Sequence, residues 1–441
     1  MKICRRGEAG YERARLDSVW NARVPSRYPA VIIQATDEED VVAAVNYGRK
    51  QGLPITVRSG GHSWYGIHLR DGGLLLDLSR LREITVDPEA RIATMQSGVL
   101  GMELHHALSE HGLFFPVGHG PDVGLAGFML GGGYGWNSRH YGPACFSIQA
   151  VDVVTASGEV LHCDETGNSD FLWAARGGGH GQFAVITRFY LRIYQENGAI
   201  VRSTQVYPRD LAGEVAGWMM SVGPALSDRV ELIAMVTRPP LAGFDGAAIT
   251  TSATAFARSA AEASELLAEF ERPPFAGREL LRVTGAETNM RDLGAEVERE
   301  TPKGQRYICD NIWTGAGPGE ITPLIQLAAD TMPNPECQVF WYWWGEDRTP
   351  PAPAAWSAQA PWYYAVYGIG GDPALDQAHD AWVATSIGAV THLSSGTQFA
   401  DANLAGRFDG PLRPAQLREM ARLRARHDPA GVFSGYPEAI G

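Results

Sequence analysis

Lysine, cysteine and long apolar runs are scarce in this 441-residue chain. Only Lys2, Lys50 and Lys303 are lysines, so 34 of the 37 basic residues are arginine. A formal net charge of -13 argues against nucleic acid or an anionic membrane as a partner. No run reaches the roughly 18 consecutive apolar residues that a membrane-spanning helix needs. The five cysteines (Cys4, Cys145, Cys163, Cys309 and Cys337) are odd in number and widely spaced. With no C-x-x-C or other metal spacing, neither a disulfide framework nor a zinc site is expected; free thiols in a reducing compartment are. Asn-x-Ser/Thr sequons are also absent, and no apolar stretch follows the charged start MKICRRGEAGYERAR. No signal peptide and a cytoplasmic location are the expectations.

Apolar residues make up 45% of the chain, enough for sizeable cores in one to three domains. The segment Pro54–Tyr65, PITVRSGGHSWY, is the most informative stretch. Ile55, Thr56 and Val57 read as a short buried strand that runs into Ser59-Gly60-Gly61. Paired glycines let a chain bend tightly, and successive amides in such a bend can converge on an anion. His62 follows at once, either a surface histidine after a common turn or an imidazole held beside a ligand. A second run, Gly118–Gly135 (GHGPDVGLAGFMLGGGYG), is too glycine-rich for an ordinary helix or strand, where each glycine costs about 1 kcal/mol relative to alanine. Backbone lying close against something large and flat, or against a pyrophosphate, explains it better. The run is not a nicotinamide-dinucleotide fingerprint, because Asn137-Ser138-Arg139 follows it in place of the required helix and later acid.

The order R-S-G-G-H-S at Arg58–Ser63, G-L-A-G-x-x-L-G-G-G-Y-G-W at Gly124–Trp136 and W-A-x-R-G-G-G at Trp173–Gly179 resembles the berberine-bridge-enzyme-like branch of the vanillyl-alcohol-oxidase flavoproteins. Bacterial 6-hydroxy-D-nicotine oxidase belongs to that branch. The resemblance covers residues 20–195 well, the last forty residues moderately and the middle poorly. It implies an α+β protein, with a PCMH-type FAD-binding domain of two α/β subdomains and a substrate domain whose antiparallel sheet is covered by helices. The implied boundaries are 1–196 and 397–441 for the FAD domain and 197–396 for the substrate domain. It also implies FAD joined covalently through His62 as an 8α-histidyl link. Arg58, Ser59, Gly60, Gly61, His62 and Ser63 would hold the diphosphate. Gly118, Gly120, Val123, Gly124 and Gly127 would lie along the cofactor, with Gly131, Gly132, Gly133, Tyr134 and Gly135 near the isoalloxazine. Val185 and Tyr436 complete the implied set. The cysteine that forms a second tether in many relatives corresponds to Gly120, so no cysteinyl link is expected, and a single tether suggests a small or flat substrate.

Along the rest of the chain, the reading places a strand at Tyr28–Val31, then a Thr36-x-x-Glu39 capping box and a helix ending near Gly48. Strands are read at Leu74–Leu78 and Ile92–Met95, with a helix over Gly101–Glu110. His105 and His106 fall on different faces of that helix, so a shared metal is not expected. Ala150–Thr155 and Glu159–Cys163 read as a hairpin and Ala184–Tyr194 as a long strand. The pattern changes at Gln195–Ala199. Beyond it, Arg229–Thr237 and Ala247–Phe256 read as strands, Ser259 caps a helix through Phe270, and Pro323–Ala329 is helical. Thr349–Pro361 is a Pro/Ala loop, and Pro414–His427 is an amphipathic helix stopped by Asp428-Pro429.

Val339–Trp344 (VFWYWW) reads as a strand with Phe340, Tyr342 and Trp344 on one face and Trp341 and Trp343 on the other. It is either core or a substrate wall. Tyr342 is its titratable group, and Tyr307, Tyr363 and Tyr364 are further catalytic candidates. The resemblance implies oxidation of a small secondary-metabolite alcohol, amine or ring by hydride transfer to flavin N5, with reoxidation by O2 to H2O2. An oxidative cyclase and a non-catalytic flavoprotein of the same fold remain as alternatives.

Overall fold

The computed structural model describes residues 1–239, 241–345, 349–403 and 410–436. A four-stranded sheet opens the fold: β1 (Lys2–Arg5), β2 (Val31–Gln34), β3 (Ile55–Arg58) and β4 (Leu74–Asp77), in the order β1-β2-β4-β3. β4 pairs in parallel with both β2 and β3, and the burial of all four β4 residues is the mark of a central parallel strand. β2 begins three residues later than the sequence suggests. Pro29 has no N–H for a ladder, and Tyr28 is held outside by Arg6 and Arg15, each 4.7 Å from its ring.

Between β2 and β3 runs a helix, Glu38–Gln51, capped by Asp37 rather than Thr36; the Asp37 carboxylate accepts from Asp40 N–H at 2.8 Å. Gly48 does not stop this helix. A Cβ there would lie 2.8 Å from the Ile55 side chain, so glycine lets helix and strand touch, and the true stop is Gly52 at φ +65°.

The second sheet is antiparallel: β5 (Ile84–Asp87), β6 (Ile92–Gln96), β8 (Ile148–Thr155), β9 (Val160–Cys163) and β10 (Ala184–Arg192), ordered β5-β6-β10-β8-β9. A short pair, β7 (Leu113–Phe114) with β11 (Tyr194–Gln195), closes its end. One core joins the two sheets through Val41, Val45, Leu76, Val154 and Val185.

Residues 199–396 build an eight-stranded antiparallel sheet: β12 (Ala199–Pro208), β13 (Val230–Thr237), β14 (Ala248–Ala257), β15 (Leu281–Thr288), β16 (Arg306–Thr314), β17 (Gln338–Trp343), β18 (Trp362–Gly370) and β19 (Ser394–Gly396). Their order is β15-β12-β14-β13-β17-β18-β16-β19. Helices Ala212–Val222, Pro318–Asp330 and Asp376–Val390 cover one face, packing on Trp341, Trp343, Tyr364 and Val366. The opposite face carries Tyr342, Tyr363, Tyr367 and Trp313 and turns toward the first half of the chain. β15 is an edge strand exposed almost throughout, so it has no inward alternation for sequence reading to find.

The chain then returns to the first half. Met420 and Leu423 of helix Pro414–His427 enter the core that contains Phe171, Ala174 and Phe183. The Asp428 carboxylate accepts from Val432 and Phe433 N–H at 2.7 and 2.9 Å, forming the turn that follows. Ile55 N–H then donates to Val432 O, and Ser434 N–H to Ile55 O, both at 2.8 Å, so residues 432–434 lie along the free edge of β3.

Candidate active site

The strand β3 ends at Arg58, and its guanidinium fixes the turn that follows. It donates to Asp77 Oδ1 on β4 at 2.8 Å, to Ser18 O at 3.2 Å and to Gly60 O at 3.2 Å. Ser59 Oγ donates to Ser97 O at 2.7 Å, tying this turn to the second sheet's subdomain. Gly61 sits at φ +74°, and a Cβ on Gly60 would meet Gly124 Cα at 2.6 Å. The two glycine segments therefore touch backbone to backbone, at a separation that no larger residue permits. The backbone N–H groups of Ser59 through Ser63 meet no protein acceptor among the described residues. A run of unspent amides at a tight bend is an anion cradle.

That cradle opens into a cavity of about 470 Å³ between the first half of the chain and the eight-stranded sheet. Arg58–Ser63, Gly118, Gly120, Val123, Gly124, Gly127, Gly131, Tyr134 and Val185 all line it. Four expected residues, Gly132, Gly133, Gly135 and Tyr436, do not. The carbonyls of Gly132 and Gly133, both at positive φ, accept from Cys145 and Ala144 N–H, and a Cβ on Gly135 would lie 2.0 Å from Val117 O. These glycines serve local packing. Tyr436 also stands behind the wall: its hydroxyl donates to Gly178 O at 2.7 Å, and its ring stacks on Phe399. Ser63 Oγ accepts from Ile67 N–H at 3.4 Å.

At one end of the cavity, His62 stacks on Trp20 with centroids 4.3 Å apart and a 25° interplanar angle. Its Nε2 lies 3.2 Å from Asp122 Oδ1, and Trp20 Nε1–H donates to Asp122 Oδ2 at 2.7 Å. Beneath the cradle, His68 is buried with Nε2 unpartnered, and burial holds its pKa down at about 3. Burial likewise lowers His180 to about 4. Both imidazoles are neutral at physiological pH.

The irregular stretch after β19 supplies the same cavity with a group that the sequence reading missed. Asp401 accepts from Tyr363 OH at 2.6 Å and Tyr367 OH at 3.0 Å on Oδ2, and from Trp64 Nε1–H at 2.7 Å on Oδ1. Burial, reinforced by Asp401, pushes the Tyr363 and Tyr367 phenols well above their usual range. They are donors to this carboxylate, not bases. Tyr342 and Phe340 line the same wall, as their spacing on β17 requires. Tyr364 lies in the core under the helices, because adjacent residues of a strand face opposite sides. Tyr307 shares the Tyr342 face but lies outside the cavity lining; it packs on Trp20 and Trp64 and donates to Pro302 O at 2.6 Å. Its phenol too is raised by burial.

The far end of the cavity is polar. Arg202 pairs with Glu296 at 2.5 Å, and Thr204, Ser252 and Gln338 stand nearby on the sheet. Burial, with Glu296 beside it, raises the Glu300 carboxyl to about 7. No cluster of His, Cys, Asp or Glu among the described residues could hold a metal, and no helix among them is long and apolar enough to cross a membrane.

The fold and the glycine cradle define a flavoprotein, and sequence comparison agrees. Residues 29–164 match the FAD binding domain family. The chain is 32% identical over 430 residues to FAD-linked oxidoreductase ptmO of Penicillium ochrochloron, covering 96% of this chain and 94% of that one. FAD-linked oxidoreductase nodO of Hypoxylon pulicicidum is 33% identical over the same shares. (R)-6-hydroxynicotine oxidase of Paenarthrobacter nicotinovorans is 32% identical over 216 residues, 49% of this chain and 46% of that one. Among solved structures, 6-hydroxy-D-nicotine oxidase from Arthrobacter nicotinovorans superposes with a TM-score of 0.85 over 99% of this chain and 97% of that one, at 19% identity. Physcomitrella patens BBE-like 1 gives 0.84 over 100% and 96%, also at 19%. The chain belongs to the FAD-linked oxidoreductases, and its fold is that of 6-hydroxy-D-nicotine oxidase and the BBE-like proteins.

Proposed function

We propose that this enzyme oxidises a small alcohol, amine or ring substrate, with Asp401 as the proton acceptor and FAD held covalently by His62 alone. The observation that carries the reading is the Asp401 carboxylate, held on three hydrogen bonds in the cavity that His62 also lines. The unspent amides of Ser59–Ser63 and the unpartnered His68 Nε2 are a fitting donor set for a diphosphate-bearing cofactor. Bound FAD supplies the two-electron acceptor that side chains lack, and dioxygen is the proposed final oxidant.

Asp401 suits its task because its lone pairs are arranged by donors that cannot themselves titrate near neutrality. Tyr363 and Tyr367 keep the carboxylate oriented, and Phe340 and Tyr342 offer an aromatic surface for the substrate body. Among the described residues, the only arginine or lysine that lines the cavity from the eight-stranded sheet, Arg202, is spent on Glu296, so an apolar body with a hydroxyl or amine fits better than an anionic substrate. With no cysteine at Gly120, a second tether has no donor.

The test is anaerobic mixing with a panel of aryl-substituted alcohols and cyclic amines. Loss of the yellow flavin absorbance, absent in Asp401→Asn, supports the reading. Flavin that no member of the panel bleaches, in a protein that loads FAD fully, favours a non-catalytic flavoprotein instead.

A further inference from the structure

We propose that Asp122 is the positioning residue for attaching FAD to His62: it fixes the imidazole tautomer that makes Nδ1 the nucleophile, and it balances the charge that forms on the ring. The inference rests on the covalent tether proposed above and assigns the group that promotes it.

The geometry is specific. An ionised carboxylate only accepts, so the 3.2 Å contact between Asp122 Oδ1 and His62 Nε2 puts the ring proton on Nε2. Nδ1 then carries the lone pair, and no described residue hydrogen-bonds to it. Trp20 restrains both partners. Its ring stacks on the imidazole at 4.3 Å, while its Nε1–H donates to the other Asp122 oxygen at 2.7 Å. Burial works against ionisation of Asp122, but the His62 contact and the Trp20 hydrogen bond outweigh it and hold the carboxyl below its usual range. A bland ion pair is the competing account: the Asp122 side chain is 40% exposed, and such pairs add little to stability. A loop anchor, however, would not need the acid on the imidazole of the linking histidine.

The bond-forming step balances as follows. Nδ1 of His62 bonds to the 8α-methyl carbon of FAD, one methyl proton leaves, and the two electrons of that C–H bond enter the isoalloxazine. The imidazole becomes cationic and is relieved by its Nε2 proton passing to or being shared with Asp122. Dioxygen then removes two electrons and two protons as hydrogen peroxide, returning the linked flavin to its oxidised form. A carboxylate that holds an imidazole in one tautomer and stabilises the imidazolium is the logic of the catalytic Asp–His pair of serine hydrolases, where losing the acid is severe.

The full-length chain, expressed under riboflavin starvation, is mixed with FAD, and flavin that survives acid precipitation is followed with time alongside total FAD bound. Wild type should build acid-stable flavin on the tryptic peptide Ser59–Arg70. Asp122→Asn and Asp122→Ala should bind as much FAD but link it about tenfold more slowly or worse, with formate restoring part of the rate in Asp122→Ala. Variants that link at the wild-type rate overturn the proposal and leave the tether standing. A slow rate that formate leaves untouched gives Asp122 a structural role and overturns it as well. Wild-type protein that gains no acid-stable flavin refutes the tether itself, and the proposal with it.

Discussion

Replacing Asp401 by asparagine separates its chemistry from its contribution to the fold. The carboxylate takes three hydrogen bonds, one from the Trp64 indole and two from the phenols of Tyr363 and Tyr367. An indole can only donate, whereas a phenol hydroxyl can turn and accept. The asparagine carbonyl can therefore take Trp64 Nε1–H while its NH2 faces the phenols, so packing and the bond count are nearly kept. What is lost is the negative charge and the basic lone pair. General-base contributions run to about 10²–10⁴-fold, so the rate of flavin reduction in Asp401→Asn should fall by at least about 10² with FAD content and melting temperature near wild type. Asp401→Ala leaves three donors unpaired, at about 1–3 kcal/mol each, and should also lose stability. Stopped-flow reduction under nitrogen reads the rate, and thermal unfolding reads the fold. A reduction rate within about threefold of wild type in Asp401→Asn would remove this carboxylate from the chemistry.

Other substitutions probe the surroundings of the site. Tyr363→Phe removes one of the three donors that orient the Asp401 carboxylate, so flavin reduction should slow by about tenfold with FAD content unchanged; a wild-type rate contradicts the assignment. Glu300 is raised to about 7 from an ordinary 4.5 by burial and by Glu296. Its folded state holds the proton more tightly than the unfolded chain, so it penalises folding progressively as pH rises from about 4.5 through 7, and the penalty is constant above that. Glu300→Gln should flatten the fall in melting temperature across that window, and an unchanged slope refutes it. Asp77→Ala strands the Arg58 guanidinium beneath the cradle and should cost about 3 kcal/mol in denaturant unfolding together with FAD loading. Tyr364→Phe, by contrast, removes a buried hydroxyl with no partner among the described residues and should leave flavin reduction unchanged at equal or slightly higher stability.

The cofactor end of the site was legible because its signal is local. Consecutive residues of Arg58–Ser63 form one bend, and the glycines at Gly60 and Gly124 record a backbone contact that only glycine permits. Alternation on β17 likewise put Phe340, Tyr342 and Trp344 on one face without saying whether it was core or cavity wall; Phe340 and Tyr342 line the cavity and Trp344 does not. Tyr364 shows the limit of that reading: on β18 it is one residue from Tyr363 and therefore faces the helices. Asp401 left no local trace. It lies in an irregular stretch after β19, and its role comes from partners 34 to 337 residues away. Asp122 did leave one: it is the only carboxylate in the uncharged glycine run Gly118–Gly135, where an acid has no packing reason to stand. Weighing that run for its odd residue as well as for its glycines would have found it.

Asp122 and Asp401 are held in the same way, and that ties the two ends of the site together. Each carboxylate takes an indole N–H, from Trp20 and Trp64 respectively. The two indoles pack edge to face with centroids 5.5 Å apart, and Tyr307 lies 5.1 Å from one and 5.0 Å from the other. The block is anchored by Asn21, whose amide donates to Trp64 O at 2.7 Å and Tyr307 O at 2.9 Å and whose carbonyl accepts from Tyr307 N–H. It therefore joins the N-terminal segment, the cradle and the eight-stranded sheet. Movement of the sheet relative to the cradle would displace Tyr307 against Trp20 and Trp64, disturbing both carboxylates at once. The aromatic block thus sets the distance between His62 and Asp401, and with it the width of the cavity that both line. This gives Tyr307, which lies outside the cavity lining, a reason to be large, aromatic and buried.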